Sequence, residues 1–272
     1  MLRCMTGLER LAVAATMAAA ACAQSATVGP EDPDRFPTQD DDDATDDDDA
    51  TDDDDDVQSP CPPEMALMPG GFCIDRYESA LEELVDGSWV AAAPWYTLDG
   101  RTVRATPAAG IPSQGYISGD EAEAACSASG KRLCTSVEWL AACAGESDRL
   151  YPYGSTYDPE ACHDTYAGGH PVVDYFGTNQ GVWDPEHMND PGINQQAGAV
   201  ADGGSYSGCV TPEGVFDLHG NLHEWTADGD GVFRGGFFAD AVLNGPGCTY
   251  RTTAHSRGYH DYSTGFRCCA TP

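Results

Sequence analysis

The sequence has very few basic residues, and this shortage excludes several classes of function. Thirteen Lys and Arg residues stand against 45 Asp and Glu residues, which gives a net charge of -32, and Lys131 is the only lysine. Even from Cys61 onward, ten basic residues face 28 acidic ones. A surface with this charge repels nucleic acid and anionic lipid headgroups, so we do not expect a nucleic-acid partner.

The chain also lacks a Cys-x-x-Cys pair and an apolar run long enough to span a membrane. The first absence argues against thioredoxin-like exchange and zinc ribbons. The apolar stretch within residues 1–22 follows Arg3 and Arg10 and is short and rich in alanine, which is typical of a secretion signal. Residues 1–22 are therefore predicted to be a targeting segment.

This segment ends in three alanines followed by Cys22, which resembles a bacterial lipobox. We predict that Cys22 is lipidated and becomes the mature N-terminus, so that the lipid attaches the protein to a membrane. The predicted location is the bacterial cell envelope, at the outer membrane, in the periplasm or on the surface. Ordinary cleavage near Ala21 or Ala23 is the alternative.

Residues 23–60 contain almost nothing to bury and include the run DDDDATDDDDATDDDDD at positions 40–56. Such a run repels itself and cannot form a core, so it is predicted to be a disordered, extended linker. Weak ion binding by the aspartates is an alternative. A folded domain is predicted for residues 61–272, which are enough for one sizeable core.

Ten cysteines lie in this domain. In an exported chain, an even number of cysteines at this density indicates a disulfide framework. Two short helices are predicted from capping boxes, one beginning at Ser118 with Glu121 and one at Thr135 with Glu138. In the second helix the apolar spacing predicts that Val137, Leu140 and Cys143 face inward.

Short strands are predicted on both sides of the Pro-Gly-Gly turn in MALMPGGFCIDRYES and in VFRGGFF and TGFRCC. Residues 150–206 are rich in Gly, Pro, Asp and Asn and predict long ordered loops without sheet or helix. The predicted fold class is α+β, loop-rich and stapled by disulfides.

The stretch GVFDLHGNLHEWT, residues 214–226, places His219 and His223 four positions apart. They would share a helix face, as in a zinc site, only if Gly220 and Asn221 stayed helical, and both are turn formers. In a loop, the carboxylates of Asp217 and Glu224 and the backbone carbonyls suit calcium better than zinc.

Six fragments in order, including GKRLCTSVEW, DLHGNLHEW, RGG and GFRCC, resemble the sulfatase-modifying factor, or formylglycine-generating enzyme, family. The resemblance covers residues from about Cys61 to Cys269 and implies a variant of the C-type lectin fold. It implies a structural calcium held by the side chains of Asp217 and Glu224 and the carbonyls of Gly220 and Leu222. A second calcium site would fall near His163 and Asp164, where this sequence departs from the family pattern.

Enzymes of the family oxidise a sulfatase cysteine and use a pair of cysteines after Gly-Gly-Ser to hold copper. In this chain Phe237 replaces the serine, and only Cys248 lies near the second position. The resemblance instead implies that Cys248 is bridged, and we therefore expect the catalytic apparatus to be missing. The resemblance closely anchors one disulfide, Cys126–Cys268. The pairing Cys61–Cys73, Cys134–Cys269, Cys143–Cys248 and Cys162–Cys209 would use the other eight cysteines, and their connectivity stays open at this point.

The predicted function is a non-catalytic binding or structural module with a structural calcium, recognising an unknown protein, peptide or glycan. The alternative is an oxidase that uses copper or iron and acts on cysteine or other side chains. Cys248 with His255 or His260 would be its candidate catalytic residues.

Overall fold

The computed structural model describes residues 59–272. The predicted signal segment, Cys22 and nearly all of the predicted linker therefore lie outside the described residues. Within the described range, short strands form three small sheets, and no helix is both long and apolar enough to cross a bilayer.

The first sheet joins the beginning of the domain to its end. Strands β1 (Met65–Met68) and β2 (Phe72–Asp75) form the predicted hairpin around the Pro-Gly-Gly turn, with Met68 opposite Phe72. The sheet order is β1-β2-β11-β6, where β6 is Arg132–Leu133 and β11 is Cys268–Ala270. The last strand therefore lies between two strands from the first half of the domain.

The second sheet contains the strand that directly follows the turn at residues 217–222. Its order is β10-β7-β8-β9, with β7 at His223–Trp225, β8 at Phe233–Arg234, β9 at Arg251–Thr252 and β10 at Thr264–Phe266. Strand β10 pairs with β7 in parallel, whereas β7, β8 and β9 pair antiparallel. Strands β8 and β10 confirm the short closing strands predicted from the sequence.

The third sheet is a meander with the order β4-β3-β5, made of β3 (Ser79–Val85), β4 (Ser88–Ala91) and β5 (Val103–Pro107). Strands β3 and β4 are joined by Asp86 and Gly87, both with positive φ, at 50° and 82°. This is the two-residue hairpin turn for which Asp-Gly is a strong signal.

Both predicted helices are present with their capping boxes. Helix α1 spans Gly119–Ala128 behind Ser118, and helix α2 spans Ser136–Ala144 behind Thr135. The predicted inward face of α2 was wrong at Val137, which is 75% exposed. The buried face is formed instead by Ser136, Trp139, Ala142 and Cys143, because the Trp139 indole bonds a distant carboxylate.

The loop-rich middle contains two helical turns that the sequence analysis did not predict, α3 (Pro171–Phe176) and α4 (Pro185–Met188). Each begins with proline after a side-chain cap, His170 or Asp184, which is a local start signal. The remainder of residues 150–206 is turn and irregular backbone, as predicted.

Five disulfides connect these elements, and they confirm both the anchored pair and the pairing named above for the other eight cysteines: Cys61–Cys73, Cys126–Cys268, Cys134–Cys269, Cys143–Cys248 and Cys162–Cys209. Two of them end in β11: Cys126 of α1 is bonded to Cys268, and Cys134, the residue after β6, is bonded to Cys269. Two of the larger apolar clusters include these sulfurs, one around Trp225 and Phe266 and one around Trp139 and Ile74.

Candidate functional site

The turn at residues 217–222 is a loop and not a helix, as the sequence predicts. Asp217 and Asn221 have positive φ, 60° and 52°, which these two residue types tolerate better than most. Gly220 has φ 85°, and a Cβ there would lie 2.2 Å from the carbonyl oxygen of His163. Glycine is therefore required at this position on two grounds.

The two histidines of the turn lie in different surroundings. The buried His219 ring places Nε2 3.0 Å from Oδ2 of Asp164 and packs edge-on against Tyr151. This pairing engages Asp164, the only carboxylate at the suggested second calcium site. The Nε2 atom of His163, the other residue named there, lies 2.5 Å from the carbonyl oxygen of Ala199.

His223 lies in an aromatic cluster. Its ring centroid is 4.5 Å from that of Phe233, 5.0 Å from Phe237 and 5.4 Å from Tyr250. Burial, with a smaller effect from His255, lowers the pKa of His223 to about 3, so the imidazole is neutral at physiological pH. The two histidines do not form the zinc pair that their spacing first suggests.

Glu224 is buried and bound on both oxygens. Arg267 donates Nε to Oε2 at 2.6 Å and Nη2 to Oε1 at 2.7 Å, and the Trp139 indole N–H donates to Oε2 at 2.8 Å. Arg267 is itself fully buried and also donates to the carbonyl of Phe216 at 2.8 Å. The bidentate ion pair ties β7 to the residue between β10 and β11, and the indole hydrogen bond ties β7 to helix α2.

The turn brings together more buried carboxyl groups than Arg267 can neutralise. Besides Glu224 it involves Asp217 and Glu78, which is 2% exposed and accepts the N–H of Leu222 at 3.1 Å and a hydrogen bond from Asn221. Burial raises the pKa of Asp217 to about 6, with Glu224 adding to the rise. Burial and the neighbouring charges of Glu224 and Asp217 raise the pKa of Glu78 well above its usual value.

The sequence analysis missed Glu78 as a member of this site. It is the second-to-last residue of the quoted fragment MALMPGGFCIDRYES, but it lies 143 positions from Asn221. Only a signal that relates distant positions could have found it.

Three of the four predicted calcium ligands are free to accept a cation. Asp217 uses Oδ2 for the N–H of Gly204 at 2.7 Å, and no described residue donates to Oδ1. Within residues 59–272 no donor reaches the buried carbonyls of Gly220 and Leu222. Oxygens without a hydrogen-bond donor, beside several buried carboxyl groups, fit a hard divalent cation.

Glu224 fits less well, because Arg267 and Trp139 already engage it. Only one lone pair of its Oε1 is left for an ion. The described part of the chain contains no group of three or more His, Cys, Asp or Glu side chains that could hold a metal ion. Any ion at this turn would therefore depend on backbone oxygens.

The segment after the glycine pair has no free thiol. Gly235 and Gly236 lead into Phe237, and the next cysteine, Cys248, is bonded to Cys143 of helix α2. His255 stacks on the Tyr259 ring at 3.6 Å, and Nδ1 of His260 lies 2.8 Å from Oδ1 of Asn189. Among the described residues, no hydrogen bond joins either histidine to Cys248.

Together the fold and the turn define a class: a disulfide-stapled mixed α/β domain in which a carboxylate- and carbonyl-lined loop precedes a short central strand. Residues 38–272 match the family described as the sulfatase-modifying factor enzyme 1-like domain. The match begins inside the predicted linker and covers most of the chain. The chain belongs to this family and has its C-type-lectin-like fold.

Two curated relatives are formylglycine-generating enzymes, one from Mus musculus, 28% identical over 180 residues, and one from Bos taurus, 27% identical over 182 residues. Each match covers 57% of this chain and 43% of the relative. The chain therefore spans less than half the length of these relatives. Among solved structures, PvdO from Pseudomonas aeruginosa has 15% identity and a TM-score of 0.45, over 74% of this chain and 80% of that one.

Proposed function

We propose that this protein is an exported, lipid-anchored member of the family that does not form formylglycine and acts as a binding or structural module of the cell envelope. The observation that carries this proposal is the Cys143–Cys248 disulfide, which removes the only thiol of the segment after Gly235 and Gly236. Enzymes of the family need two thiolates there, because soft thiolates are the ligands that copper(I) prefers.

Loops on a rigid scaffold are the natural contact surface of such a module. The exposed aromatic side chains of the loop-rich middle include Tyr157, Tyr175 and Trp183, which suit a protein, peptide or glycan partner. The net charge of -32 argues against a nucleic-acid partner.

The first prediction concerns free thiols. In the unreduced, denatured mature protein, a thiol reagent should find no free thiol among the ten cysteines of residues 61–272, because all are paired. Mapping by mass spectrometry should recover Cys143 joined to Cys248. A stoichiometric free thiol at Cys248, with copper or iron bound through it, would contradict the proposal and restore an oxidase.

We further propose that the turn at 217–224 binds calcium through Asp217, the carbonyls of Gly220 and Leu222, and Glu224 shared with Arg267. In this role calcium would be structural, because it would neutralise the surplus of buried carboxylates around Leu222 and join the turn to β7. A ligand that binds only the folded state stabilises it by about 2.7 kcal/mol at a hundredfold excess over its Kd.

The second prediction tests this site. Calcium should raise the melting temperature of the native protein, and a chelator should reverse the rise. Asp217→Ala should abolish the response, whereas Asp217→Asn, which keeps an oxygen at the same position, should retain part of it. A native protein whose melting temperature is the same in calcium and in chelator would refute the site.

The third prediction concerns the lipid anchor. Cys22 lies outside the described residues, so the anchor rests on the sequence alone. Cys22→Ser should move the protein from the membrane fraction to the soluble fraction, because a serine cannot carry the thioether lipid. The matched control is Ser25→Ala, three residues later, which should leave the partition unchanged. Unchanged membrane association of Cys22→Ser would rule out this anchor.

A further inference from the structure

Strand β4 is an edge strand with one side uncovered. It pairs with β3 so that Trp89 lies opposite Leu84 and Val90 opposite Glu83, and no described strand lies on its other side. The Asp86-Gly87 turn makes Val85 and Ser88 a hydrogen-bonded pair, and such pairs alternate along an antiparallel ladder.

This alternation decides which backbone groups face outward. Ser88 and Val90 direct their N–H and C=O groups to β3, and Ala92 continues the pattern by donating to the carbonyl of Leu81 at 2.9 Å. Trp89 and Ala91 therefore direct both backbone groups away from the sheet. Residues 59–272 contain no acceptor or donor for them. The edge thus offers two donors and two acceptors to an added strand.

Common devices that protect an edge strand are missing from β4. Residues 87–98, GSWVAAAPWYTL, contain no charged side chain, and the proline of this stretch, Pro94, lies beyond the strand. Val90 is 45% exposed and Val85 is 43% exposed on the same face of the hairpin. Edge strands usually carry lysine, proline or a bulge that prevents pairing, so this edge is open to it.

The register of β4 is self-complementary. If a second copy of β4 approaches antiparallel with a two-fold axis at Val90, Trp89 faces the second copy's Ala91, and Ala91 faces the second copy's Trp89. Both are hydrogen-bonded pairs, and all four outward groups of each strand are satisfied. The two Val90 side chains then meet as a close non-hydrogen-bonded pair, and each covers apolar surface of the other.

We propose that this protein forms a two-fold homodimer in which strand β4 pairs with β4 of a second copy, giving one continuous six-stranded sheet. A second copy is the favoured occupant because, with one two-fold axis at Val90, every outward backbone N–H and C=O group of β4 finds a partner in the second β4. Two chains of net charge -32 repel each other, so they associate best where neither presents a charge, and β4 is such a place. This proposal is independent of the proposed function.

The experiment measures mass and backbone protection on the purified full chain in a mild detergent. Sedimentation equilibrium should give, after subtraction of detergent, twice the mass that mass spectrometry measures for a single chain of the same preparation. Hydrogen exchange should show that the amides of Trp89 and Ala91 become protected as the protein concentration rises. Val90→Glu places two carboxylates at the axis and should return the mass to that of the monomer and remove the protection.

The matched control is Val137→Glu, the same substitution at a position that is 75% exposed on helix α2, and it should leave the dimer intact. A native-like circular dichroism spectrum and a cooperative melting transition of the Val90→Glu monomer would show that it is folded. A monomeric native protein would overturn the proposal. A dimer that survives Val90→Glu would overturn it as well, because its interface would lie elsewhere.

Discussion

Replacing Arg267 with methionine is expected to lower the free energy of unfolding by about 3–5 kcal/mol. Arg267 is fully buried and binds both oxygens of Glu224, which is buried as well. Methionine fills a similar volume but leaves that carboxylate without a counter-charge. The nearby carboxyl groups of Asp217 and Glu78 supply no counter-charge in its place. Urea unfolding at a fixed calcium concentration measures the effect.

Arg132→Met is the matched control. Arg132 pairs with Glu138 at 2.5 Å, but its side chain is 42% exposed. Exposed ion pairs contribute at most about 1 kcal/mol, so this variant should lose little stability. Adding Glu224→Gln to Arg267→Met should recover part of the loss, because it removes the unpaired charge. A loss below about 1 kcal/mol for Arg267→Met alone would mean that Glu224 finds another counter-charge.

Removing both disulfides at strand β11 is expected to lower the free energy of unfolding by more than the sum of the losses caused by removing each one alone. The Cys126–Cys268 and Cys134–Cys269 bridges close loops with sequence separations of 142 and 135. They end on adjacent residues, so each one largely closes the same long loop. With one bridge in place, the other closes only a ring of about ten residues. Loop-closure entropy then predicts that removing this other bridge costs a little under 3 kcal/mol, on the order of the value for a short loop.

Once the first bridge is gone, the second closes a larger ring that runs through the Cys143–Cys248 bridge and contains about 30 to 40 residues. Losing it then costs about 4 kcal/mol on the same scale. Unfolding of the two paired Cys→Ala variants and of the quadruple variant in urea, without reductant, gives the three values. Removing Cys162–Cys209 is the control, because its loop, with a sequence separation of 47, lies inside the Cys143–Cys248 loop and its sulfurs belong to a different apolar cluster. That variant should combine additively with either removal. Simple additivity of the β11 pair would show that the two bridges constrain independent loops.

Much of the fold could be predicted from the sequence where the physical cause is local. The capping boxes at Ser118 and Thr135 depend on hydrogen bonds within three residues, and both helices begin as predicted. The hairpin around the Pro-Gly-Gly turn and the loop at Gly220 depend on local backbone preferences in the same way. The disulfide pairing came from the family resemblance and agrees with the structure.

One error, the inward face of helix α2, occurred where distant residues compete. Val137 has the apolar spacing of an inward residue, but helix α2 turns Trp139 inward because the indole donates to Glu224, 85 positions away. Helices α3 and α4 were missed because each is only about one turn long and has no periodicity to detect. Their proline starts and polar caps are local signals that could have located them.

The sequence alone determined the elements whose causes lie within a few residues, together with the excess of acidic charge and the even set of cysteines. Only the tertiary structure decided how the buried charges are paired: Arg267 with Glu224, and Glu78 with the turn at Leu222. The reason is physical. A buried charge is stabilised by whichever partner the fold places beside it, and no pattern of neighbours along the chain specifies a partner dozens to more than a hundred residues away.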